Sequence, residues 1–353
     1  MNKILSQILP LIVAVLALIP PIQFYVLPPY FEYWPMLIAI FGFLGVKILF
    51  IKTNPFIKAI SVLTFISCFF SSAPYISFNQ YISIVACCYF YIGLTRMDSW
   101  KPMFVVLKSL LIFNSILLIM QVIGSDQLLN FGLTQTSTYG IIGQHMQMGS
   151  FSLILSICLS IIHPGFLIFP IIVGVICNSA WTIFCAFIGI VFIAKSKYIK
   201  ILSVLVLILA VIICIRSGKI PQALSKDMGR IMVWERSIDL LNQRPLEGWG
   251  PGTYKYIFPA LSGIRGIPWK TAHNDWVQFA FELGHILSGL MVAGWLMILK
   301  KMVSQKNKLF LVGFLVISLD MMVHFPARMI QCVPLIILFL AYYDAIAYRK
   351  ATC

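Results

Sequence analysis

The stretch "WKTAHNDWVQFAFELGHILSGLMVAGWLMILKK", residues 269–301, decides the fold. From Asp275 to Leu299 it is one apolar run of the length a helix needs to cross a bilayer, roughly 17–25 residues, and it stops at Lys300 and Lys301. Similar runs fill the chain on either side. Of its 353 residues, 60% are hydrophobic and 10% charged, with a mean hydropathy of +0.95. A soluble domain is nearer half apolar and about a quarter charged. The expected class is therefore an all-α, polytopic integral membrane protein, because backbone polar groups in lipid must be satisfied within each segment.

Spans are expected near 7–27, 34–51, 56–72, 80–95, 103–123, 149–163, 165–177, 179–195, 199–216, 275–299, 308–325 and 330–347, about twelve in all. The pair around His163-Pro164 reads either as one bent span or as two tight ones. The N-terminal run has a basic start but no small-residue cleavage site, so it reads as a retained first span. Nine cysteines show no C-x-x-C spacing and lie mostly in apolar runs, as small buried hydrophobes do. There is no internal repeat. The division is residues 1–216 as N-terminal transmembrane helices (about nine), 217–274 as a large loop, and 275–353 as C-terminal helices (about three).

The formal net charge of +15 is better read by its distribution than as an affinity for nucleic acid. Lysine and arginine gather in alternate loops: Lys3; Lys47, Lys52 and Lys58; Arg96 and Lys101; Lys195, Lys197 and Lys200; Lys300, Lys301, Lys306 and Lys308; Arg349 and Lys350. The short loops between them ("LPPYFEY", "SSAPYISFNQ", "GSDQLLNFGLTQTSTYGIIGQH") carry none. By the positive-inside rule both termini are cytoplasmic, and an even number of spans agrees. The exceptions lie on the outer side. The loop 217–274 holds Lys219, Lys226, Arg230, Arg236, Arg244, Lys255, Arg265 and Lys270, and Arg328 stands alone in "HFPARM". A basic outer face on an acid-poor protein suits an anionic ligand.

Within that loop Ile231, Trp234, Ile238 and Leu241 recur at helical spacing, the pattern of a short amphipathic helix lying apolar side down on the membrane. Pro245 stops it. The "GWGPG" that follows reads as a plain turn or as backbone able to approach a phosphate. In the opening stretch, Thr271 or Asn274 can cap the helix, which puts His273 at its N-terminal edge. Asp275, Gln278, Glu282 and His285 then form a polar stripe, and ionisable groups in a span face a cavity or a partner. The positive end of the helix dipole disfavours imidazolium, so a neutral His273 able to accept a proton is expected there. His273 as an interfacial hydrogen-bonding residue is the plainer alternative. Glu282 with His285, and Asp320 with His324, read as structural pairs, and Arg328 as a headgroup anchor or a phosphate contact. The outer loops have no D-x-D, no H-E-x-x-H and no paired carboxylates, so no metal and no cofactor are expected. Arginine must then neutralise any anionic leaving group, through charge-assisted hydrogen bonds.

"GRIMVWERSIDLLNQRPLEGWGPGTY" (229–254), followed by "AHNDWVQFAFELG" (272–284), resembles the signature region of the O-antigen ligase and polymerase superfamily. "GQHMQMGSF" (143–151) is similar to the family's polar motif before a middle span. The resemblance implies a metal-independent membrane glycosyltransferase of the bacterial inner membrane, with its active site facing the periplasm. Its donor would be an undecaprenyl-pyrophosphate-linked glycan, and its acceptor a growing glycan, lipid A core or a protein. Carried over, His273 matches the general base and Arg230 the arginine that holds pyrophosphate. Arg265, Arg328, Trp234, Gly250, Tyr254 and Gln144 join Arg230 as candidate substrate-binding residues. One position departs from the pattern: "CNSAWTIF" (177–184) has Ala180 where relatives carry an arginine. A lipid-linked glycan transporter and a catalytically silent glycan-lipid binder are the competing readings. Membrane lipids are expected partners; nucleic acid is not.

Overall fold

The computed structural model describes residues 9–10, 55–122, 145–177, 179–193, 196–216, 219–264, 269–329 and 331–352. The expected spans near 7–27 and 34–51 lie outside these residues apart from positions 9 and 10, as do Gln144 and Arg265. The described residues are helical and turn, with no strand. In chain order the helices are α1 (Pro55–Phe69), α2 (Pro74–Thr95), α3 (Lys101–Val122), α4 (His145–Ser160), α5 (Phe169–Ile176), α6 (Ala180–Ile193), α7 (Lys197–Arg216), α8 (Lys219–Leu241), α9 (Tyr254–Leu261), α10 (Asp275–Ser304), α11 (Lys308–Val323) and α12 (Val333–Thr352). Short 3-10 turns occupy Pro164–Ile168 and Pro326–Arg328. Proline opens α1 and α2, where its missing N–H costs nothing.

Three of the described helices, α2, α3 and α10, are long and apolar enough to cross a membrane. Several other expected spans fall on shorter apolar helices, such as the 14-residue α6, below the length that crosses a membrane. At His163 the chain breaks into two elements: the imidazole Nδ1 accepts from Gly165 N–H at 3.1 Å, and Pro164 starts the 3-10 turn. The chain thus forms two separate helical elements on either side of His163.

The core lies where α2, α3, α4, α6, α11 and α12 meet, with Leu107, Phe151, Ile157, Cys185, Val316 and Leu338 fully buried. The outward faces are apolar as well. Val105, Ile112 and Ile119 on α3 are 60–62% exposed, and Ile201, Leu205 and Leu209 on α7 are similarly bare. Water would penalise such continuous apolar stripes, whereas acyl chains do not. The described cysteines are free thiols, five of them buried, as expected of small core residues.

A second, smaller core under α8 and α9 joins Val233, Leu240, Tyr254, Phe258, Ala272 and Phe281. It sits at the end of the bundle that carries the α1–α2 turn, where Ser72 N–H and Oγ–H both donate to Trp249 carbonyl, at 3.1 and 2.8 Å. At the lysine-rich end, Lys301 Nζ meets Asp344 at 2.6 Å and Tyr91 hydroxyl donates to the same carboxylate.

One expectation about α8 needs correction. The helix runs 23 residues rather than a few turns. Its protein-facing side is Val233, Ser237, Leu240 and Leu241, while Ile231 and Ile238 are 44% and 49% exposed. An exposed apolar face opposite the buried one is compatible with the helix lying apolar side down on a membrane, and Leu241 alone of the expected stripe is buried in protein. The helix does stop as expected: turn bonds carry from Leu241 to Arg244, and Pro245 follows.

Candidate functional site

The site is built around a break in α10. Gly284 has φ 69° and ψ 179°, a conformation open essentially to glycine alone. The break frees backbone groups in the middle of the helix, and the loop 245–250 takes them. Trp249 N–H donates to Phe281 carbonyl at 3.0 Å, Gly250 N–H to Glu282 carbonyl at 2.8 Å, and His285 N–H to Pro245 carbonyl at 2.7 Å. Main chain lies on main chain here. A Cβ on Gly284 would stand 2.2 Å from Leu246 carbonyl oxygen, and one on Gly250 would stand 2.0 Å from Ser71 Oγ. The glycines of "GWGPG" thus serve close approach of protein to protein, and the Gly250 N–H is already committed.

Glu282, 2% exposed, gathers the surrounding elements. Its oxygens accept from Gly252 N–H at 2.9 Å, Tyr254 N–H at 3.4 Å and Gln278 Nε2–H at 3.1 Å. Arg328 Nη2 lies 2.9 Å from Oε2. Arg328 also stands 3.9 Å from Asp275 and lies over the Phe279 ring at 4.7 Å. Asp275, fully buried, accepts from Ala327 N–H at 2.9 Å. Arg328 is therefore compensated by two carboxylates inside the protein, with only 14% of its side chain exposed. That is not the placement of a headgroup anchor.

The same break corrects the expected Glu282–His285 pairing. Positive φ at Gly284 ends the helical register between them, so Glu282 turns inward to Arg328 and His285 is left exposed. The other expected pair holds: His324 Nδ1 lies 2.7 Å from Asp320 and 3.0 Å from Ser150 Oγ.

His273 comes immediately before α10. Asn274 caps the helix, its Oδ1 accepting from Val277 N–H at 3.1 Å. His273 itself has φ 52°, an uncommon value for a side-chain-bearing residue. Its ring is set edge-on between Trp269 (5.6 Å) and Phe325 (5.0 Å), and its Nδ1 is buried without a hydrogen-bond partner. Burial, then the charge of Arg230, then that of His324 push its pKa from 6.5 down to about 4. The expected neutral imidazole is present. Its main cause is removal from water, with a nearby guanidinium second.

Of the other described candidates, Arg230 and Trp234 lie closest to this segment in their interactions. Arg230 on α8 is half-buried within electrostatic reach of it. Trp234, one turn on, donates its indole N–H to Ala272 carbonyl at 2.7 Å. Tyr254 is fully buried, stacked on Phe258, with its hydroxyl 2.8 Å from Ser237 Oγ. Lys255 lies nearby, and burial lowers its pKa to about 8 despite Glu282, with Lys270 adding to the fall. Ala180 opens α6 and is exposed. Thus Arg230 and Trp234 are brought to the His273 segment, Arg328 joins through Glu282, Tyr254 packs in the small core with Ala272, and Gly250 packs against Ser71 and the Glu282 carbonyl.

Residues 151–292 match the family model described as O-antigen ligase. The matched segment takes in α8, the glycine-rich loop, His273 and the break in α10, and ends before Arg328. Among curated proteins none matches the chain. The family bears out the superfamily resemblance and ties the chain to membrane glycan transfer in polysaccharide biosynthesis, as a glycosyltransferase-like enzyme acting on lipid-linked glycan and a glycan acceptor.

Sequence reading missed the two rings that dry His273, Trp269 and Phe325. It also missed the Glu282–Arg328 pair, for which a signal existed. A lone buried cation in a chain with 11 acidic residues needs a carboxylate partner, and Glu282 and Asp275 were candidates in the nearby polar stripe.

Proposed function

We propose that the chain is a metal-independent glycosyltransferase that moves a glycan from undecaprenyl pyrophosphate to an acceptor hydroxyl on a glycan or lipid A core. It works at the periplasmic face of the bacterial inner membrane. The proposal includes about twelve spans, with both termini cytoplasmic and residues 217–274 outside. One observation carries it: within the segment that matches the O-antigen ligase model, at the start of a membrane-length helix, the His273 ring is buried between Trp269 and Phe325 with Nδ1 unpartnered and lies within electrostatic reach of Arg230.

In this scheme Arg230 holds the donor pyrophosphate and His273 accepts the proton of the acceptor hydroxyl. The acceptor oxygen bonds to the anomeric carbon while the bond from that carbon to the phosphate oxygen breaks. The pyrophosphate leaves as an anion and needs no proton. A single displacement inverts the anomeric centre. The low basicity of His273 also acquires a purpose. Arg230 is one cause of the low value; bound pyrophosphate offsets that charge, so the ring becomes a better base when the donor has arrived.

The transport reading draws support from a broken helix with ionisable groups, which transporters use to bind substrate. Here the freed backbone groups of α10 are occupied by the loop 245–250, which argues for a fixed site. Ala180, small and exposed, is the feature that keeps a silent binder in contention.

The test is complementation. A deletion strain receives wild type or His273→Ala, and the surface glycan is separated on a gel. Wild type alone should restore transfer, and one repeat on the residual core would mark a polymerase, none a ligase. Normal glycan with His273→Ala, at matched protein levels, removes the base.

A further inference from the structure

Backbone strain at His273 needs something to hold it. A non-glycine residue at φ 52° persists only where its neighbours fix it, at a cost of about 1–3 kcal/mol. The clamp is on the preceding peptide. Ala272 carbonyl accepts from Trp234 Nε1–H at 2.7 Å, and Ala272 N–H donates to Gln278 Oε1 at 3.3 Å. Both polar groups of this fully buried residue are engaged by side chains from two different helices.

Gln278 is itself 5% exposed and has no freedom to flip. Its other end faces Glu282 Oε1 at 3.1 Å, and a carboxylate there accepts, so the amide NH₂ must point to it and the amide oxygen to Ala272. Glu282 in turn is fixed by Gly252 and Tyr254 N–H and by Arg328. A continuous chain runs from Arg328 through Glu282 and Gln278 to Ala272, the residue that precedes His273.

We propose that Gln278 is a positioning residue for His273: its amide transmits the Glu282–Arg328 anchor to the Ala272 peptide and so holds the imidazole in its dry slot between Trp269 and Phe325. The catalytic consequence rests on His273 being the base; the positional one does not. Group transfer is sensitive to displacement of a reacting group by about 1 Å. Arg230 from α8 and His324 from the end of α11 are the charged or titratable groups that act on the ring, and neither is altered in the variants below.

The experiment compares wild type with Gln278→Met, which keeps length and removes both hydrogen bonds. Trp234→Phe, which removes only the bond to Ala272 carbonyl, covers the case in which Gln278→Met fails to fold. Diethyl pyrocarbonate is applied to the purified full chain between pH 4 and 8, and carbethoxylation of His273 is read by peptide mass spectrometry. Wild type should be slow and titrate near pH 4. Gln278→Met should react several-fold faster at pH 7 and titrate at least one pH unit higher, with Trp234→Phe shifting the same way by less. Identical rates and midpoints in all folded variants overturn the proposal. In complementation Gln278→Met should transfer at one tenth of wild type or less. If His273→Ala itself complements, the base reading falls while the titration result still stands.

Discussion

Substituting Gly284 by alanine should undock the loop 245–250 from α10. Two effects of different origin add at this residue. Its φ of 69° with ψ of 179° costs a residue with a Cβ on the order of 1–3 kcal/mol. The new methyl would also stand 2.2 Å from Leu246 carbonyl oxygen and 2.5 Å from its carbon, over 1 Å inside ordinary contact, and both are backbone atoms that no rotamer change can move. The loop must lift, and three backbone hydrogen bonds lengthen: those of Trp249, Gly250 and His285 N–H. At about 1 kcal/mol each, the total is roughly 4–6 kcal/mol, or about 10³–10⁴ in the docked population. Gly252 and Tyr254 would leave Glu282 with the loop. Amide hydrogen exchange on purified protein is the assay: peptides covering 245–254 should lose protection while α4 and α11 keep theirs, and complementation should fail. A Gly284→Ala protein with wild-type protection over 245–254 and normal glycan would show that the break is not what holds the loop.

Replacing Arg328 by methionine leaves Glu282 and Asp275 buried without their cation, a loss of about 3–5 kcal/mol; melting in detergent should show it, and adding Glu282→Gln should recover part, whereas strictly additive losses would deny the pair. Tyr254→Phe removes only the hydroxyl contact with Ser237 and should cost about 1 kcal/mol while transfer continues; abolished transfer with a normal melting point would make the hydroxyl a substrate contact. For pH, the base form of His273 is the active one, so kcat/KM should stay flat from neutrality down to pH 5 and fall through about 4, and Arg230→Gln should raise that midpoint without reaching 6.5, since burial is the larger cause. A fall centred at 6.5 in wild type contradicts the dry slot. The same group lowers stability as pH drops from 6.5 towards 4, because the unfolded chain binds the proton more tightly. The effect is at most about 3 kcal/mol, at about 1.4 kcal/mol for each pH unit.

The candidate site was partly legible because its chemistry is local. His273-Asn274 before an apolar run announces a histidine at a capped helix start, and Asn274 does cap α10. Asp320 and His324 are four apart on one helix, a spacing that fixes their contact without tertiary information. Glu282 and His285 have an equally good local spacing and do not meet, because one glycine between them leaves the helical register. Nothing local distinguishes Gly284 from a glycine tolerated within a straight helix. That distinction comes from Pro245 to Gly250, brought against it from elsewhere in the chain. The protein-facing side of α8 was not legible for a similar reason: a hydrophobic pattern shows that a helix is amphipathic, while the burial of Val233, Ser237 and Leu240 depends on which aromatic rings arrive to cover them.

By itself the sequence determined the all-helical class, since a chain this apolar must satisfy its peptide groups within helices, and it determined that a histidine and a basic segment meet the mouth of a span. Tertiary structure decided which arginine acts on the histidine. Arg230 and Arg328 look alike as isolated cations in the sequence. Arg328 lies between Asp275 and Glu282, and Arg230 is placed where its charge reaches His273. The physical reason is that electrostatic compensation depends on distance in space, over contacts of 3 to 4 Å, and residues 46 positions apart, such as Glu282 and Arg328, come that close only when the chain has folded.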